Sequence, residues 1–202
     1  MSALVVWEGP FGKAVAQAVR RELDDVVAVE PAAHRDAVAR AECVVFVSWR
    51  SSDATAIALA DAAHDAGVPF FPVQLDNRVL VIGPLFGSGG PCYRCFRGRY
   101  LTHAAGADRQ QLLWKLYADD ANAGVAGVTP SMVRIAAGAA LSAIASDSAD
   151  PTVRWFDVLT GDLTGSEIVA VHACPGPHDR AADGGERFVT ALEALLEEGM
   201  ER

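Results

Sequence analysis

Residues 3–30 read ALVVWEGPFGKAVAQAVRRELDDVVAVE. Val5 and Val6 begin a short apolar run rich in β-formers. After the turn EGPFG, Val15, Val19 and Leu23 recur at helical spacing with Lys and Arg on the other face, and VVAVE ends on Glu30. A strand, a covering helix and a second strand at these lengths predict a parallel pair. The pattern continues outward to residue 82. AAHRDAVARA reads as a short helix, CVVFVSW as a buried third strand, and DATAIALADAAHDAG as a helix closed by Gly67. FFPVQL is a fourth strand, which Pro72 demotes toward a sheet edge or a bulge. RVLVIGPLF is one more strand, and it runs into the glycine bend GSGGPC instead of a helix.

Beyond that bend the chain offers a helix around QQLLWKLYA and another in PSMVRIAAGAALSAIA, opened by Pro130. VRWFDVL and SEIVAV flank TGDLTG as a hairpin. ERFVTALEALLEEG reads as a terminal amphipathic helix, reached through the connection HDRAADGG. No internal repeat or low-complexity tract is present. The expected fold is therefore α/β: a Rossmann-like, doubly wound, mainly parallel sheet followed by a helical segment and a C-terminal β-hairpin.

Composition narrows the classes of function. The chain has 202 residues, 51% apolar and 21% charged, as in soluble globular proteins. Its 17 basic and 26 acidic residues give a net charge of -9, the wrong sign for a nucleic-acid-binding face. No segment approaches the roughly 20 apolar residues of a membrane span, and no basic n-region precedes an apolar stretch. The four cysteines do not form a secreted disulfide pattern, so a cytoplasmic protein with reduced thiols is expected.

The first turn invites comparison with the dinucleotide fingerprint G-x-G-x-x-G. Gly9 and Gly12 are present, and Glu30 stands where a ribose-binding acid would stand. Pro10 and Phe11, however, occupy places where a phosphate needs backbone N–H groups and little bulk. Asp53, after SWRSS, is placed either to cap the following helix or to hold magnesium, and capping is the default. Gly9, Gly12, Glu30 and Asp53 are thus the nucleotide contacts only if a nucleotide binds. No P-loop, G-x-S-x-G elbow or H-E-x-x-H pair occurs. Cys43 reads as a core thiol, and nothing ties His34, His64 or His103 to a nucleophile.

The strongest chemical signal is GPCYRCF. Cys92 and Cys95 at this spacing can share one tetrahedral zinc, and the downstream segment VHACPGPHD adds Cys174 with His172 and His178 beside it. A Cys3His site would be structural, because four protein ligands leave no open position. Reduced core thiols, and a redox Cys-x-x-Cys, are the competing readings.

GVPFFPVQLDNRVLVIGPLFGSGGPCYRCFRGRY resembles the ThiF-like, ubiquitin-activating-type fold. Ile82 to Phe86 before the cysteine pair, and Arg99 after it, are more similar to the cyclodehydratase-partner branch of that family, which serves ribosomal peptides carrying azole and azoline rings. AGVAGVTPSMVRIAAGAALSAI resembles the family's central helix. VRWFDVLTGDLTGSEIVAVHACP resembles its closing hairpin and zinc segment.

The resemblance covers about three quarters of the chain and implies one domain over 1–202, with a Rossmann-like half at 1–90 and a zinc-linked helical and hairpin half at 91–202. It implies structural zinc on Cys92, Cys95, Cys174 and a fourth ligand. The family's last cysteine falls at Pro177, so His178 is the expected replacement, with His172 in reserve. Adenylation, by contrast, is not expected. The first turn is EGPFG, no N-x-x-R-Q-like segment follows Glu30, VSWR ends the third strand where activating members carry an acid, and no cysteine lies between Cys95 and Cys174.

What the resemblance implies is a non-catalytic scaffold without ATP, serving a precursor peptide and a YcaO-type enzyme. Leader recognition would fall to a separate leader-binding protein or to this body's own sheet edge, and a homodimer or hetero-oligomer is expected. The alternative is an ATP-dependent adenylyltransferase acting on a peptide or carrier carboxylate.

Overall fold

A computed structural model describes residues 2–33, 35–103, 106–125, 127–171 and 174–177. The elements in chain order are β1 (Ala3–Glu8), α1 (Gly9–Glu22), β2 (Val26–Val29), a 3-10 turn (Pro31–Ala33), α2 (Arg35–Val38), β3 (Cys43–Ser48) and α3 (Asp53–Asp65). They continue with β4 (Phe70–Asp76), β5 (Val79–Ile82), α4 (Tyr93–His103), α5 (Ala107–Asp119), α6 (Pro130–Ile144), β6 (Thr152–Asp157) and β7 (Leu163–Glu167). The fold is mixed α/β, built on one seven-stranded sheet in the order β2-β1-β3-β4-β5-β6-β7. The β2-β1-β3-β4 ladders are parallel and the β4-β5-β6-β7 ladders antiparallel. Strands β1 to β4 and β6 therefore run one way, with β5 and β7 opposed.

Strand alternation divides the core between the two faces of the sheet. Ala3 and Val5 pack with Phe11, Val15 and Val19 of α1 and Ala136 and Ala140 of α6. Leu4 and Val6 point the other way, onto Leu59 and Ala63 of α3 and Tyr93 and Phe96 of α4. Both faces are covered, which is why β1 and β3 read as continuous apolar runs.

Three local expectations change. Helix α1 begins at Gly9, so EGPFG is largely its first turn. Pro10 sits at a helix-start position that suits its fixed φ, and Phe11 is buried against the sheet. Pro72 lies in an interior strand, not at an edge, and every residue of β4 is buried. Its carbonyl accepts from Gly83 N (2.8 Å) just past the end of β5, so its missing N–H faces a place where the neighbouring strand has already ended. The closing hairpin turns earlier than its flanking sequence suggests, and β7 is Leu163–Glu167, not SEIVAV. The Asp157 carboxylate accepts from the N–H groups of Leu159 (2.9 Å) and Thr160 (3.3 Å), folding the turn immediately after β6.

Helix α4 has no counterpart in the sequence reading. Gly98 and the arginines of YRCFRGRYLTH mask it, although Tyr93, Phe96 and Tyr100 stand at helical spacing. Helix α6 starts as expected, with the Thr129 side chain accepting from Met132 N and Pro130 following. The region expected as a terminal helix lies outside the described residues. No helix among the described residues is long and apolar enough to cross a membrane.

Candidate metal centre and the closed first turn

In an open α/β sheet a ligand is expected in the crevice beyond the carboxyl ends of adjacent parallel strands. Here that crevice lies beyond Glu8 of β1 and Ser48 of β3, which pair in register. The chain fills it. Gly9 has φ +71°, and a Cβ there would lie 2.3 Å from Cγ of Trp49, while a Cβ on Gly124 would lie 2.8 Å from the same ring. The indole is therefore sandwiched between two glycines, and only glycine fits on either side. A Cβ on Gly12 would come within 2.4 Å of the Val47 carbonyl oxygen, so this glycine serves close helix–strand packing.

Arg50 closes the rest. Its Nη1 donates to the carbonyls of Asp120 and Ala123, both at 2.8 Å, and its Nη2 meets Glu8 Oε1 at 3.1 Å. Ser48 Oγ donates to Glu8 Oε2 at 3.0 Å. A phosphate approaching the start of α1 would thus meet a carboxylate, an indole and a proline that offers no N–H. Glu30 follows Val29 at the end of β2 and is exposed. Asp53 neither caps α3 nor stands free: Ser52 is the N-cap residue, without a side-chain cap bond, and Asp53 pairs with Arg97 at 2.5 Å. Burial pushes the Asp53 carboxyl up, and Arg97 opposes that shift. The structure therefore does not gather Gly9, Gly12, Glu30 and Asp53 around an open nucleotide site.

The thiols do converge. Cys92 precedes α4, Cys95 lies in its first turn, and Cys174 returns after β7. Cys92 Sγ is 3.7 Å from both Cys95 Sγ and Cys174 Sγ, and all three sulfurs lie within 4.8 Å of one another. A tetrahedral zinc with sulfur at about 2.3 Å has edges of about 3.8 Å, so two of these separations match a thiolate cage. Backbone N–H groups point at the sulfurs, Val171 N to Cys95 at 3.3 Å and Gly176 N to Cys174 at 3.4 Å, which favours thiolates. Burial pushes the Cys92 thiol up to about 12 and also raises Cys174, so a cation is what would make the set anionic.

The donor set therefore fits a soft metal ion, and no disulfide competes for it. The cradle is tight, since a Cβ on Gly176 would stand 2.4 Å from Cys92 Sγ. A cavity of about 60 Å³ borders it, lined in part by Asp61, His64, Cys92 and Pro177. The expected fourth ligand His178, and the reserve His172, lie outside the described residues. Cys43 is a core thiol as expected, raised by burial to about 11.

Helix α4 is pinned where it presents these cysteines. Tyr93 Oη donates to Gln74 Oε1 at 3.0 Å, Arg94 pairs with Asp61 at 2.7 Å, and Arg99 donates to the Ala170 carbonyl at 3.2 Å. Neither Trp49 nor Arg50 stood out in the sequence as a plug. The one signal was the pair Trp49-Arg50 at the end of an otherwise apolar third strand.

No family model and no curated protein matches the sequence. Solved structures do. The heterocyclase TruD superposes with a TM-score of 0.59 at 18% identity, over 89% of this chain and 28% of its own. The E. coli microcin synthetase complex McbBCD gives 0.60 at 13% identity, over 86% of this chain and 67% of the matched one. E. coli MccB gives 0.54 at 13%, over 89% and 65% respectively. This chain thus spans about a quarter of the heterocyclases it matches and about two thirds of the microcin proteins. Identities this low speak to fold alone: the chain shares the fold of these three structures.

Proposed function

We propose that this chain is a non-catalytic ThiF-like scaffold in the biosynthesis of azole-bearing ribosomal peptides, binding a precursor peptide, activating a YcaO-type cyclodehydratase, or both. One observation carries the reading: the chain's own Trp49 and Arg50 occupy the crevice in which an adenylating relative would hold its nucleotide. Work on peptides is supported by the fold shared with a heterocyclase and with microcin synthetase components. Cys92, Cys95 and Cys174, with His178 or else His172, hold a structural zinc that joins the hairpin half, 91–202, to the Rossmann-like half, 1–90, as one domain. The metal supplies cross-linking and no chemistry on substrate.

The test pairs two measurements. Millimolar ATP is expected to leave the thermal midpoint of the purified chain unchanged, whereas a true ligand at 100 times its Kd adds about 2.7 kcal/mol. Added to a YcaO-type enzyme with a Cys/Ser/Thr-bearing precursor, the chain should raise peptide-dependent ATP turnover. Pyrophosphate exchange by the chain alone, driven by a peptide carboxylate, would overturn the scaffold reading in favour of the adenylyltransferase.

A further inference from the structure

Arg94 lies between the two cysteines of the pair, and its place is fixed from both ends. Its Nη2 meets Asp61 Oδ2 of α3 at 2.7 Å, and its side chain is about two-thirds buried. Its stem reaches the thiol cluster: the point where a Cβ on Gly176 would sit is 3.0 Å from Arg94 Cδ and 2.4 Å from Cys92 Sγ. Cδ and Sγ are therefore no further apart than those two distances laid end to end. Nε, one bond beyond Cδ, is buried and has no hydrogen-bond partner, although a buried donor left unmade is costly. Arg94 donates the hydrogen bond to Asp61, which anchors the far end of the guanidinium on α3.

Charge arithmetic gives this placement a meaning. A dication with three thiolates and one neutral ligand carries one net negative charge, which burial penalises unless a cation answers it.

We infer that Arg94 is a positioning residue for the metal centre, its stem lying beside Cys92 and its Nη2 held by Asp61, so that metal affinity depends on this guanidinium and, through it, on α3. The inference rests on the metal reading above. Cobalt(II) and zinc are titrated into the full chain against a chelator of known affinity, following the thiolate-to-cobalt charge-transfer band. Failure of the unmodified chain to bind either ion would overturn the metal reading itself.

If the chain does bind, Arg94→Met is expected to weaken affinity about 10- to 100-fold and shift the band, and Arg94→Lys to recover part of both. Asp61→Asn, which keeps Arg94 but frees its far end, should weaken binding by a smaller factor, and it is the working variant if Arg94→Met does not fold. Unchanged affinity and spectrum in the Arg94 variants, or equal loss in Met and Lys, would overturn the role assigned to Arg94.

Discussion

Two glycine-bearing bends could each receive a ligand, and the chain treats them in opposite ways. At the first turn, Glu8 and Arg50 answer each other, the carbonyls of Asp120 and Ala123 accept from the other terminal nitrogen of the guanidinium, and the indole fills the volume. At the second, three sulfurs are brought within 4.8 Å, with backbone donors aimed at two of them. One bend is filled by the chain's own side chains. The other has assembled three sulfurs, and burial keeps those of Cys92 and Cys174 protonated until a cation takes the place of their protons. The contrast teaches that glycines and position in a fold mark a former or potential site, whereas the balance of donors and acceptors decides whether it still binds.

The contrast breaks most readily at the sulfurs. Cys174→Ser should take metal content from about one zinc per chain to near zero and lower the thermal midpoint by more than 10 °C, read by elemental analysis and a melting curve. An unmodified chain with no metal, or a variant with unchanged midpoint, would make the two bends equivalent.

Next comes the plug. Arg50→Met leaves Glu8 beside a part-buried gap and should cost about 2–3 kcal/mol by chemical denaturation, below the 3–5 kcal/mol of a fully buried pair because Glu8 is partly exposed. ATP should still give no stabilisation, since Pro10 offers no N–H. A midpoint rising with ATP in this variant would recast the plug as a removable gate.

The smallest effect lies far from both bends, at the β6–β7 turn, and serves as a reference. The N–H groups of Leu159 and Thr160, and Arg78, hold the Asp157 carboxyl below the usual carboxylate range. A lowered folded-state value contributes stability above the unfolded-state value of about 3.9, lost as pH falls through the folded one. Asp157→Asn should therefore lower the midpoint slightly at neutral pH, and the difference should vanish in strong acid. A difference that persists there would assign the effect to the turn's shape instead of its charge.

The parts of this molecule legible in sequence are those fixed by near neighbours. Val15, Val19 and Leu23 announce α1, Thr129-Pro130 announces α6, and the spacing of Cys92 and Cys95, with Cys174 downstream, announces the sulfur cluster. Where distant segments decide, the sequence is silent or misleading. Arg50 finds its acceptors 70 and 73 residues away, and no local pattern encodes that. Pro72 reads as an edge residue because the early end of β5, which makes it harmless inside the sheet, is not written in FFPVQL. The hairpin's second strand is displaced because a single aspartate sets its turn. Arg94 carries no signal in YRCF until Asp61 and Gly176 are placed around it.

Cys92 and Cys174 stand 82 residues apart in the chain. A link between them closes a loop containing α4, α5, α6, β6 and β7. Restricting the unfolded chain in this way is worth about 4.5 kcal/mol by the chain-entropy relation for cross-links. It also sets an order of events. During synthesis the first two sulfurs emerge with nothing to join, and the knot can be tied only when residue 174 has left the ribosome. Until then β6 and β7 depend on packing alone, so a metal bridging these sulfurs would act late, on a chain already largely made.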